Sequence, residues 1–331
     1  LPDATPPIKD CNNIDLATLP MGHHQCWIPL VQNGIGNWTK VPATIFKSRI
    51  PGPTLLITAG IHGDELNSVV TAQRIAREWQ GKVTSGCVVI LPLLNPNGML
   101  RHSRHFHTAD GDLAPYNLNR GFPGNAEGTL PERYCAALWK LIQGIKADYC
   151  LDLHTQTKGM AYPLFIYADK SIPECASIAT LIQADMLLDD LGQIGVFETE
   201  MNRAGIPTLT LEIGAGKRHQ PHLVTRAVEG ISRVAAHLGL MHQTTSSPLI
   251  PAQSGNAVTD VRAVKGGFAL GRVEIGDNIS AGQILFEQFD SFGNLIETYC
   301  APIAGIVASI AEDPMREPGG LLVRILHSDT N

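Results

Sequence analysis

The strongest constraint on the fold is an alternation that begins at about residue 54. The apolar run TLLITAG is followed by the helical pattern LNSVVTAQRIAREWQ and then by the apolar run CVVILPLL, each bounded by Gly, Pro or Asn. A short run that is apolar at every position is a strand covered on both faces, and a strand–helix–strand order sets two such strands parallel. The rhythm resumes after a long loop with the helix PERYCAALWKLIQGIK, where Thr129 and Glu132 have capping-box spacing. The strand YCLDLHT, a helix over about 174–188, the strand PTLTLEIG and a helix ending near Leu240 follow. Residues from about 40 to 243 thus predict an α/β domain with a mostly parallel or mixed sheet and helices on both faces, preceded by an N-terminal extension over residues 1–40.

Beyond this domain the pattern changes. Polar residues and prolines break it over HQTTSSPLIPAQSG, so residues 244–255 are expected to form a linker. Residues 256–331 hold short apolar runs punctuated by Gly, with no helical period, and predict a small all-β domain. The segment from Asn95 to Gly128 is long for a connection in a compact domain, which marks it as a functional loop. Only 17% of the 331 residues are charged against about 25% in typical domains, so a large buried core is expected and disorder is not. Lys and Arg number 25 against 31 Asp and Glu, a net charge of −6 that offers nothing to nucleic acid or to an anionic membrane. Small anionic partners can still be met by individual arginines. Seven scattered cysteines without a C-x-x-C pair predict a reduced chain, and LPDATPPIKD carries no leader pattern, so a cytoplasmic protein is expected.

Four segments carry groups capable of chemistry. Gly60-Ile61-His62-Gly63-Asp64-Glu65 lies between a strand and a helix, and the spacing of His62 and Glu65 on a helical first turn presents an imidazole and a carboxylate to one point, as two zinc ligands require. A second buried strand ends on His154 and a third on Glu212, at the strand ends where open α/β sheets bind ligands. Together, His62, Glu65 and His154 make a three-ligand zinc site with an open fourth position, and Glu212 supplies a free carboxylate for proton transfer. Asn119 and Arg120, within NLNRGFPG, offer an amide and a guanidinium fork to a carboxylate, while Arg101 and Arg104 both stand upstream as cations for a developing oxyanion. Glu198 and Glu200 read as solvated or structural carboxylates.

The ordered set H-G-D-E, N-P-N-G with a following Arg, N-L-N-R-G-F-P-G, D-L-H-T and T-L-E-I-G resembles the succinylglutamate desuccinylase/aspartoacylase family of zinc amidohydrolases, which share the zinc carboxypeptidase fold. The resemblance extends over nearly the whole chain. It implies one Zn2+ per chain on His62, Glu65 and His154, Glu212 as general base and then acid, Asn119 and Arg120 on the substrate carboxylate, and Arg104 rather than Arg101 on the oxyanion. Members that take acidic substrates carry a further Arg shortly before the catalytic Glu, and Arg203 is the nearest match. The loop between Arg104 and Asn119 is longer than in compact members; its His102, His105, His107 and Asp110 read as substrate contacts or solvated groups rather than a second metal site, and His23, His24, His219 and His222 read as surface or capping residues.

The C-terminal segment has its own likeness, to biotinyl/lipoyl-type barrels. A carrier of that type needs a lysine at a hairpin tip; the tip here reads Asp290-Ser291-Phe292-Gly293-Asn294 and no lysine follows Lys265. An access-limiting part over the mouth of the site, above Arg120, is expected instead. The activity so implied is zinc-dependent hydrolysis of the amide of a small N-acyl amino acid or related amide. Peptide hydrolysis by a zinc carboxypeptidase is the alternative, and homo-oligomerisation is left open.

Overall fold

A computed structural model describes residues 8–242 and 250–329. Its strands and helices run β1 (Gly22–Gln32), β2 (Trp38–Lys47), β3 (Thr54–Ala59), α1 (Leu66–Glu78), β4 (Cys87–Leu91), α2 (Pro96–Leu100), α3 (Leu130–Ile145), β5 (Tyr149–Gln156), β6 (Met160–Ala161), β7 (Leu164–Ala168), α4 (Pro173–Ile182), β8 (Met186–Asp189), α5 (Phe197–Arg203), β9 (Thr208–Ala215), α6 (Pro221–His237) and β10 (Gln253–Gly255). The C-terminal strands are β11 (Ala257–Arg262), β12 (Gly267–Gly271), β13 (Asn278–Ile279), β14 (Ile284–Phe289), β15 (Leu295–Cys300), β16 (Gly305–Ala311), β17 (Met315–Arg316) and β18 (Leu321–His327).

A nine-stranded mixed sheet, in the order β1-β2-β4-β3-β5-β9-β7-β8-β10, organises the larger part. Its centre, β4-β3-β5-β9, is parallel throughout. The all-apolar strands feed two cores by simple alternation, because successive side chains point to opposite faces. Leu55, Ile57, Val88 and Ile90 pack with Ala72 and Ile75 of α1, Ile178 of α4 and Ile231 of α6. Leu56, Val89 and Leu91 pack on the other face with Tyr134 and Leu138 of α3 and Phe197 of α5.

Three features depart from the sequence-based expectation. The described part of the expected extension, from residue 8 on, belongs to the sheet: β1 and β2 form an antiparallel hairpin that widens it through β4. The helix expected over 174–188 stops at Ile182, where Gln183 takes a left-handed conformation (φ 56°), and Met186–Asp189 is a strand. Met186-Leu187-Leu188 is apolar at every position, so it satisfies a buried strand as well as a helix face; sheet pairing with β7 decided. Within the expected linker, Gln253–Gly255 pairs in parallel with β8 as the last strand of the sheet, whereas residues 243–249 lie outside the described residues.

The C-terminal strands form two antiparallel sheets around Leu285, Phe286, Val307, Leu322, Val323 and Ile325. They are joined to the larger part by pairing as well as by packing. β16 hydrogen-bonds to β6, and Ala308 and Leu326 pack with Tyr162, Phe165, Met186 and Leu188. The hairpin between β14 and β15 turns at Asp290–Asn294, without a lysine. No helix among the described residues is long and apolar enough to cross a membrane.

Shared strands and a shared core predict one cooperative unit. Leu326→Ala, at a position 1% exposed, should cost about 2–5 kcal/mol and shift a single denaturation transition seen identically by far-UV and aromatic signals. Two separate transitions would show that the C-terminal sheets fold independently.

Candidate active site

Parallel strands place their carboxyl ends along one edge of the sheet, and three of these ends build the site. β3 finishes at Ala59 and turns through Gly60, whose φ of +67° suits glycine. His62 lies in the turn that follows, and Glu65 is the N-cap of α1, so both stand just ahead of the helix rather than on its first turn. β5 delivers His154, directly paired in register with Glu212 of β9. The His62 turn is packed hard against the N-P-N-G turn: a methyl on Gly63 would lie 2.1 Å from the Gly98 carbonyl carbon. Asn95 ties the two together, accepting from Gly98 N–H at 2.8 Å and donating to the Ile61 carbonyl at 3.2 Å.

His62, Glu65 and His154 are buried, and one ligand atom from each lies within 4.8 Å of the others. The tautomer of each imidazole is set from behind. Asn117 Oδ1 already accepts the Asn119 N–H, so it is an acceptor toward His62, whose Nε2 donates to it at 3.0 Å. His154 Nε2 donates to Asp152 Oδ2 at 2.7 Å, and Asp152 Oδ1 accepts from Thr58 Oγ1 at 2.6 Å. Both Nδ1 atoms therefore face the Glu65 carboxylate, His62 at 2.7 Å and His154 at 2.9 Å. His62 Nδ1 is buried there without a hydrogen bond. Two imidazole nitrogens and a carboxylate turned toward one another are stabilised by a cation at their centre, and the set fits a divalent metal of the zinc type.

The two imidazoles differ in their electrostatics. Burial lowers the His62 pKa to about 4, against the opposing pull of Glu65, so this ring is neutral at pH 7. Burial also works against charge on His154, but Asp152 and then Glu65 outweigh it and raise its pKa. Glu65 is held below its ordinary range because His62 and His154 together overcome its burial. Burial pushes Glu212 up to about 7, partly offset by His154. Arg104 donates to Glu65 Oε1 at 2.6 Å.

These groups open into a cavity of about 690 Å³ that His62, Arg104, Asn119, Arg120, His154 and Glu212 all line. Asn119 is buried, its Oδ1 accepting the Phe197 N–H at 2.8 Å. Arg203 is elsewhere: its side chain is 56% exposed, 3.6 Å from Glu200, and does not reach the cavity. The loop histidines do not assemble a second metal group among the described residues; His107 Nε2 instead bonds Ser103 Oγ at 2.7 Å, and Asn97 brackets its backbone.

Several lining residues escaped sequence reasoning. Glu198 is buried at 8% exposure in the cavity wall, where Thr210 Oγ1 donates to its Oε2 at 2.6 Å. Arg324 enters from β18, held by Asp260 at 2.7 Å and donating to the hydroxyls of Tyr162 and Tyr167 at 2.9 and 3.2 Å. Asp152 was legible in principle, since it precedes His154 by two on the same face of a strand. Nothing local distinguishes Arg324 from a surface arginine.

Comparison with known proteins places this geometry in context. A family model described as the succinylglutamate desuccinylase/aspartoacylase catalytic domain matches residues 51–238. The N-alpha-acetyl-L-2,4-diaminobutyric acid deacetylase of Halomonas elongata is 26% identical over 262 residues, covering 76% of this chain and 74% of that protein. Among solved structures, the product-bound ectoine utilization protein EutE (DoeB) from Ruegeria pomeroyi has a TM-score of 0.81 at 23% identity, covering 93% of this chain and 97% of that one. A succinylglutamate desuccinylase/aspartoacylase from Rhodobacter sphaeroides has a TM-score of 0.78 at 22% identity, covering 93% and 96%. The structural likenesses establish the shared fold.

The Glu198 carboxyl yields a prediction about stability. Its burial, with Asp152 and Asp190 adding to it and the Thr210 bond opposing, holds its pKa well above the usual 4.5. The folded chain therefore binds this proton more tightly than the unfolded chain, and the stability so gained is full below about 4.5 and lost as pH rises through the raised pKa. Glu198→Gln should denature at a higher temperature than the parent at pH 8, with the gap closing toward pH 4. A gap that is independent of pH would place Glu198 in an ordinary, solvated setting.

Proposed function

Because this chain belongs to the succinylglutamate desuccinylase/aspartoacylase family, we propose that it is a zinc-dependent amidohydrolase, with one Zn2+ on His62, Glu65 and His154, that cleaves the amide bond of small N-acyl amino acids. The observation that carries the reading is the convergence of two imidazole Nδ1 atoms and one carboxylate beside Glu212 in a cavity. When bound, zinc polarises an amide carbonyl and acidifies water toward a pKa of about 7. The curated relative from Halomonas elongata bears the name of a deacetylase for one such compound.

The chain's own residues supply the remaining steps. Glu212, with its pKa near 7, takes a proton from the attacking water and returns it to the leaving nitrogen. Arg104 brings a guanidinium to the edge of the metal group, where negative charge develops on the carbonyl oxygen. Arg120 and Asn119 hold the substrate carboxylate; the Asn119 side-chain carbonyl is already occupied by the Phe197 N–H, which leaves its amide NH2 for the ligand. Two tests follow. His62→Ala and His154→Ala should reduce bound zinc to well under one per chain and abolish turnover. Glu212→Gln should keep zinc and fold while kcat falls by roughly 10²–10⁴; an unchanged kcat would remove Glu212 from the chemistry.

Substrate size is the second issue, and here the C-terminal strands enter. Asn256, Ala257, Val258, Arg262, Arg316, Leu321 and Arg324 line the same cavity as Arg120. A cavity of about 690 Å³ walled in this way suits a small ligand, in contrast to an open carboxypeptidase groove. In the intact chain, kcat/KM for a small N-acyl amino acid should exceed that for a blocked pentapeptide by about 10² or more. Comparable values would favour the carboxypeptidase alternative.

A further inference from the structure

The cavity carries charges of both signs. Arg104, Arg120, Lys158, Arg262, Arg316 and Arg324 line it, and beside Glu212 so do three further carboxylates: Asp189 and Asp190 at the end of β8, and Glu198 of α5. Asp189 and Asp190 are engaged by backbone N–H groups of Lys170 and Gly192, each at 3.0 Å. Glu198 is different. It is buried, its one hydrogen bond comes from Thr210, and no Lys or Arg among the described residues lies within 4.0 Å of it. Its charged surroundings are Asp152 and Asp190, which add to the effect of burial, and His154, which opposes it. A buried carboxylate without a Lys or Arg partner either keeps a proton or takes its counter-charge from whatever enters the cavity.

The helix that carries Glu198 also carries Arg203, the residue that the family resemblance associates with acidic substrates. Five residues along a helix at 100° per residue separate the two side chains by roughly 140° around its axis. α5 accordingly sends Glu198 into the cavity and Arg203 into solvent. At this wall a substrate side chain thus meets a carboxylate and not the arginine that an acidic amino acid needs.

We propose that Glu198 is a specificity-determining residue that binds a side-chain ammonium, so that the preferred substrates are N-acylated diamino acids, with Arg120 on the carboxylate and Glu198 on the distal amine. This rests on the amidohydrolase reading above. It concerns binding of the amino acid portion, so it can be measured with and without turnover.

The test uses the zinc-loaded 331-residue chain, its Glu198→Gln variant, and three amino acids of similar length: 2,4-diaminobutyrate, its neutral isostere norvaline, and aspartate. Calorimetry gives the affinity for each free amino acid, and kcat/KM is measured for each N-acetyl derivative. An ammonium–carboxylate hydrogen bond in a buried site predicts at least about a tenfold preference for the diamino compound over norvaline in both measurements. The variant should bring that ratio to within about twofold of one. A parent ratio near one, a preference for aspartate, or a preference that survives in the variant would overturn the proposal. If the glutamine variant does not fold, Glu198→Asp, which keeps the charge but withdraws it by one methylene, should lower the ratio without inverting it, and an unchanged ratio would again count against Glu198. Glu198-dependent binding of diaminobutyrate without turnover of any amide would uphold this assignment while refuting the amidohydrolase reading. Turnover without charge preference would do the reverse.

Discussion

The organising interaction of this molecule is the convergence of His62 Nδ1, His154 Nδ1 and the Glu65 carboxylate at one buried point. Left alone, such groups would rotate away or take up protons. Here they cannot rotate, because each is fastened from behind: His62 by Asn117, His154 by Asp152, and Glu65 by the Thr155 N–H at 3.1 Å and by its place as the cap of α1. The fastening residues come from a loop, the central strand β5 and a helix start, so the large sheet must be assembled before the site exists. The close contact of Gly63 with Gly98 serves the same end, since it fixes the turn that carries His62. A set held in place in this way meets a cation without rearranging, which is the physical link between fold and metal affinity.

The C-terminal strands are part of that same construction rather than an attachment. β6 and β10 exchange hydrogen bonds across what the sequence reads as a boundary, and Leu326 and Ala308 complete a core with Tyr162 and Phe165. One consequence reaches the site directly: Arg324, fixed by Asp260, holds the paired hydroxyls of Tyr162 and Tyr167 in the cavity wall. The wall opposite in chain order, the short helix α5, contributes Glu198. Together these late-arriving residues set the size and charge of the cavity, whereas the early strands set its chemistry.

Much of this was legible in the sequence, and the reasons are local. Three apolar strands ending on His or Glu, or followed at once by H-G-D-E, are enough to place metal ligands at one sheet edge, because side-chain alternation and parallel pairing leave few other outcomes. The capping box at Thr129 and Glu132 is seen as expected, and so is the all-β character of the C-terminal segment. Errors arose where a local pattern admits two structures. Met186-Leu187-Leu188 fits a helix or a strand, and Gln253–Gly255 is too short and polar to announce itself as a strand.

What the sequence by itself determined is the identity and spacing of the converging groups: His62, Glu65, His154, Glu212 and the Asn119–Arg120 pair. What only the tertiary structure decided is which arginine and which carboxylate share their cavity. Arg203 and Glu198 sit in one seven-residue helix, and the face it buries against β9 and α3 sends one to solvent and the other inward. Arg324 meets Tyr167 across 157 positions of chain, an encounter governed by strand pairing between distant segments. Spacing along a strand or turn is fixed by covalent geometry and can be read from letters, whereas the side of a short helix and the partner of a distant arginine depend on how whole layers pack.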